Sequence, residues 1–98
     1  MPNFSTIRKH VNDTIKKELA PTSVVKIKMK EDESGYDGSP LYRIDVIFKG
    51  KRPRPEKVSS LLLNVRKYLW EIDDDRFPLF TYLTPEDAKD YYEPVAFD

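Results

Sequence analysis

Cysteine is missing from the 98-residue chain, so neither a disulfide framework nor a thiolate site can be built from it. Histidine occurs once, at His10, beside Arg8 and Lys9. It reads as a surface imidazole rather than a base, and Ser59-Ser60 has no base partner to activate a serine nucleophile. Glycine is scarce, three residues in all, and neither G-x-G-x-x-G nor a P-loop occurs, so a glycine-rich phosphate loop is not expected. Net charge is also lacking, because 17 basic and 17 acidic side chains cancel. No apolar run approaches the ~18 residues a membrane span requires. The start, Met1-Pro2-Asn3-Phe4-Ser5, lacks the charged and apolar blocks of a secretion signal. A cytoplasmic protein without membrane association is expected, and catalysis is not.

What the chain does contain suits one small folded domain spanning 1–98. Two domains would need roughly 100 residues each. Five Phe, six Tyr and Trp70, with no net charge, oppose the composition of disordered chains. The neutral total hides segregation: residues 1–30 balance at +5, 31–50 at −3, 51–70 at +5 and 71–98 at −7. Such blocks either neutralise one another in the fold or make recognition patches.

Periodicity divides the chain into six elements. Phe4, Ile7, Val11, Ile15 and Leu19 fall on one stripe of a helix that Asn3 or Ser5 can cap and Pro21 ends. Val24 to Lys30 alternates, with Val25, Ile27 and Met29 on one side and Lys26, Lys28 and Lys30 on the other, as in a half-buried strand. Residues 31–40 are loop chemistry. Leu41 to Lys49 is a second strand, with Tyr42, Ile44, Val46 and Phe48 toward the core and Arg43, Asp45, Ile47 and Lys49 outward. An antiparallel hairpin joins the two. Pro55 opens a second helix whose stripe is Val58, Leu61, Leu62, Val65, Leu69 and Ile72, with Leu63, Tyr68 and Trp70 off it. Phe77 to Leu83 is a short strand whose Pro78 suits an edge or a strand start. Thr84-Pro85-Glu86-Asp87 begins a last short helix, and Tyr91, Tyr92, Val95 and Phe97 give the tail residues that can pack. The fold expected is α+β, in the order α-β-β-α-β-α. Its sheet is three-stranded and mixed, strands 2 and 3 parallel across a crossover, with two main helices on one face.

Two acidic clusters are candidate metal sites by composition, and neither has the spacing. Residues 31–38 miss the alternating ligand spacing of a calcium loop, and three adjacent aspartates, Asp73-Asp74-Asp75, do not converge on one ion. Neither a metal nor a cofactor is expected. The aspartates follow a helix C-terminus, where the dipole disfavours anions. Either they pair with Arg76 or a neighbouring lysine, or the helix has ended near Trp70.

Two binding readings remain. Leu63, Tyr68, Trp70 and the outward Ile47, with the aromatic tail, exceed what a small core buries and form a candidate protein interface, to a protein partner or to a second copy in a homodimer. Lys26, Lys28, Lys30, Arg43 and Lys49 share the outward sheet face, extended by Lys51, Arg52 and Arg54, and form a candidate nucleic-acid surface. Phe80 or Tyr82 would add base stacking if strand 3 turned them to that side. The same lysines also serve simply to solvate a strand and guard it against aggregation.

Gly35 and Gly38 form G-x-x-G, and with the α-β-β-α-β order the chain resembles type II KH and ribosome-binding-factor-A domains, although those place the tetrapeptide between two helices and here it joins two strands. No functional residue carries over. Residues 31–83 run from an acidic stretch through Gly38-Ser39-Pro40, an alternating strand and a leucine-rich helix to Asp75-Arg76-Phe77-Pro78. That layout is similar to small uncharacterised bacterial α+β proteins. The resemblance implies the fold and a bacterial origin.

Overall fold

The computed structural model describes residues 2–33 and 38–92, in the order α1 (Phe4–Leu19), β1 (Ser23–Asp32), β2 (Leu41–Lys49), α2 (Pro55–Glu71), β3 (Phe77–Leu83) and α3 (Pro85–Tyr92). Side chains beyond Asp90, including those expected to pack the tail, lie outside the described residues. The sheet order is β1-β2-β3, with β1 and β2 antiparallel and β2 and β3 parallel. Strand 3 therefore lies beside strand 2. The chain is a single α+β domain with a mixed three-stranded sheet.

Local chemistry accounts for each helix end. The Asn3 side chain accepts from the Thr6 N–H at 2.9 Å and caps α1, and the Thr84 hydroxyl accepts from the Asp87 N–H to cap α3. Pro55 opens α2. At its far end Asp73 sits in the left-handed region with φ 60°. There the Asp73 N–H donates to Trp70 O and the Asp74 N–H to Leu69 O, the paired bonds of a Schellman motif. The helix thus runs through Glu71, and the aspartates form its stop signal.

Cross-strand register assigns the faces. Val24, Ile27, Met29, Tyr42, Ile44, Val46, Phe80 and Tyr82 share one side and join Ile7, Val11, Ile15 and Leu19 of α1 and Leu61, Val65 and Leu69 of α2 in the core. Burying each such aliphatic side chain stabilises the fold by about 1.5–3 kcal/mol. α1 packs on β1, α2 on β3, and the two helices pack on each other. α3 touches β2 and β3 and makes no comparable contact with α1 or α2, so it lies across the opposite face.

Two expectations change. Val25 does not face the core. The register slips between Val24 and Lys26, leaving Val25 as the extra residue of a β-bulge, 55% exposed. Ile47 points away from α1 and α2 as expected, yet it is buried, as is Asp45 beside it, because α3 with its buried Ala88 covers that part of the sheet. No helix among the described residues is long and apolar enough to cross a membrane.

Candidate interaction surfaces

The lysine-bearing face exists but is smaller and less uniformly basic than the strand pattern implied. Lys26, Lys28 and Lys30 of β1 share it with Arg43 and Lys49 of β2. Opposite Lys30 is Arg43, opposite Lys28 is Asp45, and opposite Lys26 is Ile47. Arg43 Nε donates to Asp32 Oδ2 in a half-buried ion pair. Acid is therefore built into the ladder at two positions. Phe80 and Tyr82 are not available for base stacking there, since their register partners Ile44 and Val46 place them on the helix side. β3 instead turns Phe77, Leu79, Thr81 and Leu83 to the lysine side.

Lys49 belongs to a second and denser group of cations. A groove where β2 leaves the sheet is lined by Lys49, Lys51, Arg52, Arg54 and Lys57, with Pro21, Thr22 and Ser23 on the other wall. Gly50, at φ +85°, turns the chain there, and the buried Pro53 anchors the connection to α2. Arg54 is the N-cap of α2 and makes no side-chain capping bond. Cations gathered at the positive end of a helix dipole cost about 0.3–1 kcal/mol each. An anion placed among them would reverse that sign. Lys51, Arg52 and Arg54 were legible as an extension of the ladder; Lys57 was hidden in the first turn of a helix otherwise read for its apolar stripe.

The candidate protein interface divides in two. Ile47 leaves it by burial, and the Tyr68 ring is half-buried and stacks on the His10 imidazole with centroids 3.7 Å apart. Both are occupied within the chain. Leu63 and Trp70 stay on the outer side of α2, 63% and 64% exposed. The Arg66 guanidinium lies over Trp70 at 5.0 Å and over Phe77 at 5.5 Å, so it joins the helix flank to the start of β3, where Leu79 is also exposed. Arg66 and Phe77 were missed in the sequence because their meeting depends on α2 packing beside β3.

A buried polar cluster lies where the start of β2 meets the end of α2. The Tyr42 hydroxyl donates to Asp74 Oδ2, Asp74 Oδ1 accepts from the Arg76 N–H at 3.0 Å, and the Arg76 guanidinium lies 5.5 Å from the Tyr42 ring centroid. Burial, then the Asp74 hydrogen bond and charge, raise the Tyr42 hydroxyl well above the ordinary tyrosine range. Such a phenol is a poor base and nucleophile, and the cluster ties β2 to the end of α2. Among the described residues no group of acids and histidine is arranged to hold a metal ion.

Comparison with protein-family models, with curated proteins and with solved structures finds no match. The two resemblances drawn from the sequence thus rest on element order and layout alone.

Proposed function

We propose that this protein is a non-enzymatic binding protein that works by protein association, pairing with a second copy of itself through the outer flank of α2 and the free edge of β3. The observation that carries the reading is the exposure of Trp70 and Leu63 beside Phe77, with Arg66 bridging Trp70 and Phe77. Aromatic and arginine side chains dominate interface cores. β3 ends the sheet, and among the described residues nothing pairs with its outer edge. A two-fold axis beside that edge would bring each patch against its own copy. The nucleic-acid reading of the sheet face has less support, because Asp32 holds Arg43 and Asp45 lies opposite Lys28.

Trp70 is the single tryptophan and reports its own burial. Sedimentation over a dilution series should show reversible dimer dissociation, with Trp70 emission moving to the red as the complex separates. Trp70→Ala should weaken association about 30-fold, as removal of a central anchor does. A chain that stays monomeric at every concentration, with unmoved emission, would end the self-association reading.

A further inference from the structure

The basic groove at the start of α2 combines three properties that ordinary surface charge does not. First, it is uncompensated: no carboxylate lines it, and among the described residues none of its five cations is ion-paired. Elsewhere Lys9, Arg43 and Arg76 each have a carboxylate partner. Second, two of its charges are held. Lys57 Nζ donates to the Ala20 carbonyl, and the Arg52 guanidinium lies 5.6 Å from the Phe48 ring centroid. A carbonyl and a ring face fix these groups without neutralising them. Third, the loop that carries Lys51, Arg52 and Arg54 is stiff, with Pro53 and Pro55 restricting φ and Pro53 buried. A stiff loop loses less freedom when a ligand orders it.

We infer that this groove binds the phosphate backbone of a nucleic-acid strand. It lies apart from the α2–β3 patch and does not depend on self-association. Five cations from three consecutive segments, the end of β2, the loop and the first turn of α2, suit a row of phosphates better than one compact anion. The groove has no glycine-rich cradle to enclose a single phosphate. Phe48 is buried beneath Arg52 and offers no face for a base, so recognition is by backbone charge and is indifferent to sequence. A bilayer surface fits less well, because the site is concave and the exposed Leu63, Trp70, Phe77 and Leu79 lie outside it.

The test is fluorescence anisotropy of the full chain with labelled single-stranded oligonucleotides of two unrelated sequences, across a salt series. Both should bind alike, with a slope of log K against log salt of about −3.5 if all five cations meet phosphates. The double variant Lys51→Gln/Arg54→Gln should weaken binding at least tenfold and flatten the slope by about 1.4, the share of two contacts. Lys26→Gln/Lys30→Gln removes the same charge from the sheet face and should change affinity less than threefold, as should Trp70→Ala. Circular dichroism of each variant guards against misfolding, and Lys51→Gln alone provides a milder second measurement. Equal losses from the two double variants would overturn the site, since diffuse charge would then suffice. Absence of oligonucleotide binding at low salt would overturn the ligand, as would binding to phosphatidylserine vesicles or polyglutamate in place of oligonucleotide.

Discussion

Tyr42 and Tyr82 both turn toward the helices, and their hydroxyls are treated in opposite ways. The Tyr42 hydroxyl donates to Asp74, whereas the buried Tyr82 hydroxyl has no partner among the described residues. Removing a satisfied donor takes the bond from Asp74 Oδ2 in a buried carboxylate, so Tyr42→Phe should cost about 1–3 kcal/mol at neutral pH. Removing an unsatisfied hydroxyl carries no such loss, and Tyr82→Phe should be neutral or stabilising by up to about 1 kcal/mol. The same burial moves both acidities: Tyr42 is raised well beyond the usual range, and Tyr82 is pushed up to about 12. Each phenol therefore holds its proton more tightly folded than unfolded. The stability this contributes is whole below pH 10, the unfolded value, and is lost as pH climbs through the folded one. Thermal melts should fall in midpoint above pH 10, and the fall between pH 7 and pH 11 should be smaller in Tyr82→Phe than in the unaltered chain. Equal falls would show that Tyr82 does not contribute to the alkaline loss.

Asp73 occupies the left-handed position that ends α2, where glycine or asparagine is usual, and it adds a negative charge to the negative end of a helix. Asp73→Asn keeps a residue that tolerates this backbone while removing the charge. It should raise stability by about 0.5 kcal/mol in dilute buffer and by less in high salt, read by denaturant titration at two salt concentrations. The existence of all six elements and several of their ends were legible because stripes, caps and prolines agree: Asn3 and Pro21 bound α1, Pro55 opens α2, and Thr84 caps α3. By contrast, β1 runs on to Asp32 into residues with loop chemistry, and the sequence leaves the end of α2 open between Trp70 and the aspartates. The bulge at Val25 was not. Val24 and Val25 are chemically interchangeable in an alternating pattern, and only pairing with Phe48 and Ile47 decides which one is extruded. The aspartates were half legible: their conflict with the helix dipole was visible, but Tyr42, the partner that accounts for Asp74, is 32 residues away.

Across the whole molecule, the candidate surfaces shifted because α3 took up space that strand alternation could not foresee. Period-two reading says which side of the sheet Asp45 and Ile47 face, but nothing about what lies beyond that side. A helix of eight residues, signalled in the sequence by Thr84-Pro85-Glu86-Asp87 at its start, was enough to bury both. The basic residues at the end of β2 escape α3, and so do Leu63 and Trp70 on the outer side of α2. Charge segregation therefore becomes a spatial fact mainly at the groove. Among the described side chains of α3, Ala88 is the buried one and Lys89 is its exposed neighbour. If α3 seals the sheet, Ala88→Asp forces a larger, charged group into a closed contact and should cost about 3 kcal/mol, whereas Lys89→Asp should change stability by less than about 0.5 kcal/mol. Hydrogen exchange should then quicken at β2 and β3 amides in Ala88→Asp while α1 keeps its protection. Equal, small effects from the two substitutions would mean that α3 rests on the sheet without closing it, and that the back of β2 is open to a partner after all.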